Sequence, residues 1–467
     1  MPVSIDLSRL SAVELRDLVR KRKVSPVEIL DAHLVAIARL NPQFNAIVTL
    51  VEDQARAAAK KAEQESGEGL PLNGLPVVIK DVTLTKGIRT TFGSPLYRDF
   101  VPDEDAAVVE RLRKAGAIIL GKTNTPEFAT GANTVNELFG ATRNPWNPAL
   151  SPAGSSGGSA VAVATGMVPL AQGTDFGCSI RIPAAFCGIV GVRTTGGLIP
   201  NRGMRLPWDG GQVHGPLARS AEDAALMLDG MVGLDPLWPI SAVPPWQSAL
   251  KIVRGVENAK GLKIAYAPDI AGFGVDKEID DICRAAVQRL EQDGATVEIV
   301  DFSAADGFDA YKVLRGEWMV GQQLQRIEML DKFGSNLAGN IRDGLKLTVR
   351  DTAVAENLRE KVWQRFCGLF GKYDFLVTPA APVPPYPVDK NYPDEVGGHK
   401  LENYIDWIAP AFLVTLVGFP AGSVPAGLTA ARSPVGLQIV GPRFSEPQIL
   451  GLSKLVQRSN PIGWPIE

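Results

Sequence analysis

The chain has 467 residues, of which 45% are hydrophobic and 21% are charged, so it is long and apolar enough to bury a sizeable core. Its formal net charge is −3 and its basic residues are scattered, which argues against the basic patch or stripe of a nucleic-acid-binding surface. The cysteines match neither a zinc site nor a disulfide framework, and we expect a reduced, cytoplasmic setting; they are Cys178, Cys187, Cys283 and Cys367.

The first predicted elements are two helices near the N-terminus. Capping boxes at Ser11–Glu14 and Ser25–Glu28 each pair a serine with a glutamate three residues later, and they predict a helical pair over residues 11–40. The chain is charged from Asp6 onward and shows no apolar segment typical of a signal peptide.

A strand is predicted at Leu75–Ile79, whose uninterrupted apolar residues are typical of a buried strand. A helix over about 104–115 and a second buried strand at 117–120 follow. Residues 262–302 repeat the order strand, helix, strand. This alternation predicts an α/β fold with a largely buried sheet.

One uncharged run, residues 409–431, is long enough to span a bilayer. Three prolines and three glycines interrupt it, and we therefore predict a buried strand and loop and no membrane association. No internal repeat, low-complexity tract or convincing boundary divides the chain. A single domain over residues 1–467 is expected.

Glycine and serine cluster at Gly154–Ser159, ahead of an Ala/Val-rich helix predicted over 158–165. Glycines let a backbone approach a ligand closely, and a helix N-terminus presents unpaired N–H groups. A nucleotide phosphate is disfavoured as the ligand, because the lysine that a P-loop requires is absent.

A second glycine turn, Thr174–Ser179, resembles the backbone pocket of an acyl-transfer enzyme. Consecutive N–H groups in such a turn can stabilise an oxyanion by about 3–4 kcal/mol per donor. Cys178 and Ser179 are both candidate nucleophiles by residue type. A thiolate is the better nucleophile, but no histidine lies nearby in sequence to lower the pKa of Cys178.

The base for this nucleophile is not evident, because the chain has three histidines, His33, His214 and His399. Of these only His214 is a candidate for a role in the pocket. Serine–lysine arrangements are an accepted alternative when burial lowers the lysine pKa from about 10.4 towards about 7–8. Lys80 and Lys122 each follow an apolar strand, and the residues alone do not choose between them.

The motif SPAGSSGGSAVAVATG, followed by GTDFGCSIRIPAAFCGIVGVRTT, resembles the signature of the amidase signature family of serine hydrolases. Supporting motifs are GLPVVIKD at 74–81, GKTNTPEFATG at 121–131 and RNPWN at 143–147. The strong resemblance spans about residues 73–200, and a weaker one covers 373–382 and 419–442.

The resemblance implies the amidase signature fold, a large twisted mixed β-sheet covered by α-helices on both faces. Within one domain it implies an N-terminal helical region at 1–70, a signature core at 73–200 and a substrate-pocket and C-terminal part at 201–467. It further implies hydrolysis of a carboxamide C–N bond without a metal or organic cofactor.

The resemblance also implies three catalytic residues. Lys80 would be the base, Ser155 the bridging serine that typically follows a cis peptide bond, and Ser179 the nucleophile that forms an acyl-enzyme. The oxyanion hole would be lined by the backbone N–H groups of Phe176, Gly177, Cys178 and Ser179.

Three residues depart from the family's pattern, Cys178, Ala153 and Arg193. A left-handed conformation at Cys178 would cost about 1–2 kcal/mol, so we expect a negative φ there and a thiol that packs away from the hole. The other two are treated as variation. Asp175 and Arg181 are expected to form an ion pair that braces the nucleophile turn.

Gly131 and Trp407 are predicted to contact the substrate. Further aromatic candidates for the pocket wall are Trp208, Trp318, Tyr404, Phe412 and Phe419. Their number favours a small aryl or alkyl amide. The expected partners are this small molecule and a second copy of the chain in a homodimer, with no nucleic acid and no membrane.

Two other functions are considered. One is the amidase-like subunit of a glutamine-dependent tRNA amidotransferase, but residues 347–360 lack the Gly/Ser/Tyr-rich pattern of that subunit. The other is a non-catalytic binding protein on the same fold, against which the intact set of Lys80, Ser155 and Ser179 argues.

Overall fold

Helices and strands alternate along the chain. A computed structural model describes residues 6–64, 67 and 69–466; residues 1–5, 65, 66 and 68 of the predicted N-terminal region, and residue 467, lie outside it. The described strands are β1 (Ile47–Leu50), β2 (Pro76–Lys80), β3 (Ile118–Thr123), β4 (Val135–Asn136), β5 (Gly140–Ala141), β6 (Leu170–Asp175), β7 (Val190–Arg193), β8 (Val213–Ala218), β9 (Lys263–Tyr266), β10 (Thr296–Ile299), β11 (Phe375–Pro379), β12 (Glu395–Val396), β13 (His399–Lys400), β14 (Ala421–Leu428) and β15 (Pro434–Val440). The described α-helices are α1 (Ala12–Arg20), α2 (Pro26–Phe44), α3 (Glu52–Gln64), α4 (Ala107–Lys114), α5 (Gly157–Ala164), α6 (Arg181–Cys187), α7 (Ala221–Met231), α8 (Ala249–Gly255), α9 (Lys277–Gln292), α10 (Phe308–Gln323), α11 (Ser335–Gly344), α12 (Val349–Phe370), α13 (Ala409–Leu416) and α14 (Glu446–Ser459).

Eleven of these strands form one mixed sheet in the order β1-β3-β2-β6-β8-β7-β14-β15-β11-β9-β10. Strand β2 is parallel to β3 and β6, and β9 is parallel to β10 and β11. The other neighbours are antiparallel. The predicted α/β fold with a large mixed sheet is confirmed.

Helices cover both faces of the sheet, because side chains alternate between the faces along each strand. In β2, Val77 and Ile79 pack into an apolar cluster with α1, α4, α7, α8, α9 and α14. Val78, between them, packs into a second cluster with α2, α3, α5 and α6. All five residues of β2 are buried, as expected for a central strand.

The local signals in the sequence place several elements correctly. Ser11 and Ser25 cap α1 and α2 through the predicted reciprocal bonds with Glu14 and Glu28. The predicted strand before Lys80 is β2, and the predicted repeat over 262–302 is β9, α9 and β10. Short-range capping and apolar runs therefore suffice for these elements.

The uncharged run at 409–431 is only partly as predicted. Strand β14 lies in it, but residues Ala409–Leu416 form helix α13, whereas the prediction contained no helix. Pro410 occupies the first turn of α13, where a missing N–H breaks no helical hydrogen bond. Among the described helices, none has the length and apolarity to cross a bilayer.

The parallel pairing of β2 with β6 positions the candidate site. Lys80 is the last residue of β2 and Asp175 the last residue of β6. Because parallel strands end at the same edge of a sheet, Lys80 and the turn after Asp175 lie side by side.

Gly215 in β8 has no room for a side chain, since an added Cβ would lie 1.9 Å from the Val192 carbonyl oxygen. We expect Gly215→Ala to lower the free energy of unfolding by about 1–3 kcal/mol. The matched control is Gly368→Ala in α12, where an added Cβ meets no atom within 4 Å; it should raise that free energy by about 0.5–1 kcal/mol. Urea unfolding followed by circular dichroism compares them, and equal stability of the two variants would contradict the packing described.

Candidate active site

Lys80 is completely buried and contacts two hydroxyl groups. Its Nζ donates to Ser155 Oγ at 2.6 Å and to Thr174 Oγ1 at 2.9 Å. Burial lowers the pKa of the Lys80 ammonium to about 7, although the Asp175 carboxylate opposes the shift. Near neutral pH a large fraction of Lys80 is therefore uncharged and able to accept a proton from Ser155.

Lys122, the other candidate base, has a different environment. Its Nζ donates to the Thr83 carbonyl and to Thr90 Oγ1, both at 2.7 Å, and lies 3.8 Å from Asp81 Oδ1. Burial lowers the pKa of Lys122 to about 8, and the Asp81 carboxylate opposes the shift. The geometry thus brings Lys80, and not Lys122, into contact with a serine of the glycine-rich motif.

Ser155 connects Lys80 with the second glycine turn. It is 1% exposed, and its peptide bond with Gly154 is cis. The next residue, Ser156, donates its N–H to the Ser179 carbonyl at 3.1 Å. The segment that carries Ser155 is therefore hydrogen-bonded directly to the residue expected to be the nucleophile.

The turn after β6 is held by a buried ion pair. The Asp175 carboxylate accepts from Arg181 Nη2 at 2.8 Å and from the Ile180 N–H at 3.0 Å, and Arg181 also donates to the Gly177 carbonyl at 2.8 Å. Burial alone would raise the pKa of Asp175, but the guanidinium groups of Arg181 and Arg193 lower it to about 2. The carboxylate is therefore ionised and the turn is anchored at both ends.

Cys178 lies inside this turn with its side chain turned inward. It is 2% exposed, and its Sγ is 3.4 Å from the Gly154 carbonyl oxygen. Burial raises the pKa of the thiol well above its usual range, and the Asp175 carboxylate adds to the shift, so Cys178 is a thiol at neutral pH. Positive φ occurs not at Cys178 but at Ala153, where φ is 61°.

The backbone N–H groups of the turn have no hydrogen-bond partner in the described part of the chain. Among the described residues, none accepts a hydrogen bond from the N–H groups of residues 176–179. Phe176, Gly177 and Ser179 are each partly exposed, and Phe176 lines a cavity. Unpaired N–H groups at a partly buried turn are suited to binding a developing negative charge.

Aromatic rings form the wall next to the turn. Phe176 stacks on Trp318 with 4.1 Å between ring centroids. Trp318 separates two cavities. One, of about 390 Å³, is lined by Phe176, Trp208 and Tyr311. The other, of about 260 Å³ and called here the aromatic cavity, is lined by Phe92, Tyr97, Phe128, Gln212 and Trp318 among others.

The two residues predicted to contact substrate lie elsewhere. Trp407 is 1% exposed, and its ring packs against Phe186 and Tyr386 in the core. Gly131 is buried, and an added Cβ would lie 3.2 Å from Pro126. Neither residue lines the two cavities beside Trp318. Their contact with the substrate stays a prediction.

Two polar residues near Lys80 were not predicted, Thr174 and Gln172. Gln172 accepts the backbone N–H of Lys80 at 3.1 Å and shares a hydrogen bond of 2.9 Å with His214 Nδ1. The two residues are two positions apart in β6 and so lie on one face of the strand. That spacing, just before the glycine turn, is the signal in the sequence that could have identified them.

None of the three histidines is placed as a base. Burial lowers the pKa of His214 to about 3, so it is neutral. His33 is buried, with Nδ1 3.1 Å from the Gly166 carbonyl oxygen, and His399 is exposed in β13. Over residues 6–64, 67 and 69–466, no group of three or more His, Cys, Asp or Glu could hold a metal ion.

Comparison with known proteins gives consistent matches over almost the whole chain. A model of the family described as Amidase matches residues 28–450. An acylamidase of Rhodococcus erythropolis is 37% identical over 446 residues, covering 93% of this chain and 92% of the relative. A glutamyl-tRNA(Gln) amidotransferase subunit of Geobacillus stearothermophilus is 36% identical over 477 residues, covering 93% and 94%. The crystal structure of a bacterial aryl acylamidase of the amidase signature family superposes with a TM-score of 0.88 at 28% identity, covering 96% of both chains.

The environment of Lys80 predicts its titration. The amine should be protonated below about pH 7 and neutral above it, whereas an exposed lysine titrates near 10.4. Thr174→Val should lower the pKa further, because it removes an acceptor that stabilises the ammonium form, while Thr174→Ser should leave it nearly unchanged. NMR of ¹³Cε-labelled lysines, assigned with Lys80→Met, measures these values. A Lys80 pKa near 10 would contradict the described environment.

Proposed function

The chain belongs to the amidase signature family and is a C–N amide hydrolase, and from this premise we propose that it cleaves a small aryl or alkyl carboxamide through Ser179, Ser155 and Lys80. The observation that carries the proposal is the 2.6 Å contact between the buried Lys80 Nζ and Ser155 Oγ. A lysine whose pKa is about 7 can replace the histidine that serine hydrolases usually employ.

In the proposed first half-reaction, protons move through Ser155. Ser179 Oγ attacks the amide carbonyl carbon and gives its proton to Ser155, which gives its own to the neutral Lys80 amine. The new C–O bond displaces the carbonyl electrons onto oxygen. When they return, the C–N bond breaks, and a proton passes from Lys80 through Ser155 to the departing amine nitrogen.

The second half-reaction hydrolyses the acyl-enzyme by the same relay. Water attacks the ester carbon and gives a proton to Ser155, and Lys80 again receives one. Collapse of the second tetrahedral intermediate breaks the bond to Ser179 Oγ, which recovers its proton, and the carboxylic acid leaves. Both intermediates carry an oxyanion, which the backbone N–H groups of residues 176–179 would stabilise by about 3–4 kcal/mol per donor.

The aromatic surroundings support a small organic amide as the substrate. Phe176 belongs to the turn that carries Ser179, and it packs against the rings of Trp318 and Tyr311. The similarity to an aryl acylamidase over 96% of both chains points to the same substrate class. The cytoplasmic location and the homodimer remain predictions.

The similarity to a glutamyl-tRNA(Gln) amidotransferase keeps a second function open. That function requires glutamine as the ammonia donor, partner subunits and a tRNA. The chain has no net basic charge, with 48 basic and 51 acidic residues, which favours an independent amidase.

A variant series tests the proposal on the chain alone, with aliphatic, aryl and glutamine amides and ammonia or amine release as the readout. Ser179→Ala and Lys80→Met should each lower kcat/KM by at least about a thousandfold. Ser155→Ala should lower kcat/KM to a similar extent, because the three residues act as a unit. Cys178→Ala, the matched nucleophile control, should keep most of the activity, since its thiol is protonated.

Two results would overturn the proposal. Activity that survives in Ser179→Ala but is lost in Cys178→Ala would make Cys178 the nucleophile. Release of ammonia from glutamine only, and only after amidotransferase partner subunits are added, would establish the second function.

A further inference from the structure

The aromatic cavity lies within reach of the reacting groups along two short paths. Trp318 lines it and also stacks on Phe176, three residues before Ser179. Ala129 lines it and is three residues before Ala132, whose backbone packs on Gly154 next to Ser155. Three residues span at most about 10–11 Å, which places walls of the cavity near both serines.

The size and walls of the cavity suit one aromatic ring. Its volume is about 260 Å³, whereas a cavity of about 150 Å³ is enough for benzene. Phe92 and Phe128 are 5.3 Å apart with nearly parallel rings, and Tyr97 meets both edge-on. A planar aryl group with one small substituent fits these walls.

Gln212, a residue that lines the cavity, has one buried polar atom without a hydrogen-bond partner among the described residues. Gln212 is 6% exposed, and its Oε1 accepts no hydrogen bond from any described residue. Its polar neighbours are satisfied: Trp318 Nε1 donates to Asp209 at 2.7 Å, Gln322 Nε2 to the Arg205 carbonyl at 3.1 Å, and Arg326 Nε to Tyr97 Oη at 2.7 Å. A buried acceptor without a partner is costly, so a ligand that donates a hydrogen bond would stabilise it.

We propose that the aromatic cavity binds an aryl ring of the substrate that carries a hydroxyl or amino group, with Gln212 Oε1 accepting a hydrogen bond from that group. Gln212 is thus a specificity-determining residue. This inference rests on the proposed function, because it assigns a substrate class to the same site. The ring can belong either to the acyl part or to the amine part of the amide.

Two substrate series identify the part that enters the cavity. One carries the ring in the acyl part: benzamide, phenylacetamide and 3-phenylpropanamide. The other carries it in the amine part: acetanilide and N-benzylacetamide. Each is compared with its para-hydroxy analogue. We expect kcat/KM to favour the para-hydroxy compound by about tenfold or more in one series. The inference would be overturned if neither series shows a preference for the para-hydroxy compound. It would also be overturned if an amide with a straight aliphatic acyl group and no ring is preferred over every amide that carries a ring.

Gln212→Met keeps the shape of the side chain but removes the acceptor. It should bring the ratio of kcat/KM for the para-hydroxy compound to kcat/KM for its parent close to one. The exposed Gln364 provides the control, and Gln364→Met should keep the ratio. If Gln212→Met does not fold, as judged by circular dichroism, Gln212→Asn replaces it. An unchanged ratio in a folded Gln212 variant would overturn the inference.

Calorimetry with Ser179→Ala separates this inference from the proposed function. The para-hydroxy amide should bind about tenfold more tightly than its parent, and Gln212→Met in that background should abolish the difference. Selective binding without hydrolysis by the wild-type chain would support the cavity as the binding site of the ring and would refute the proposed function. Hydrolysis without selective binding would support the proposed function and would refute the cavity as the binding site of the substituted ring.

Discussion

Moving an ammonium group from water into a protein interior costs several kcal/mol, and Lys80 sits in such an interior with hydroxyl groups as its side-chain partners. A hydroxyl group compensates a positive charge far less than a carboxylate does, so the amine is held near neutrality. Lys122, equally buried, faces Asp81 and has the higher pKa. The proposed mechanism depends on the contact of Lys80 with Ser155, which Lys122 does not make.

The charges around the turn limit how far Asp175 can raise the pKa of Lys80. Asp175 is close enough to favour the charged form of Lys80, but its carboxylate is already paired with Arg181 and Arg193. Arg181 also anchors the turn through the Gly177 carbonyl, and no described residue accepts a hydrogen bond from the N–H groups of residues 176–179. One buried ion cluster therefore limits the effect of Asp175 on the base and holds the backbone that would receive the oxyanion.

The sequence predicted those parts of the molecule whose signals are local. Ser11 and Ser25, each with a capping glutamate three residues later, predict the starts of two helices, and the apolar run before Lys80 predicts a buried strand. The contact of Lys80 with Ser155 joins positions 75 residues apart, and only the family resemblance pointed to that pair. Packing between distant segments determines the rest, and no local pattern encodes it. It brings Thr174 to Lys80, places Trp407 in the core and forms the cavity that Gln212 lines.

The proposed mechanism requires that Ser179 becomes acylated through a relay that ends on Lys80. Intact-mass spectrometry tests this step, applied to the acid-quenched chain after brief mixing with the 4-nitrophenyl ester of a small carboxylic acid and followed by peptide mapping. We expect a mass increase of one acyl group, located on Ser179 and absent from Ser179→Ala. An acyl group on Cys178, or turnover of amide without any acyl-enzyme under conditions that trap one, would contradict the mechanism.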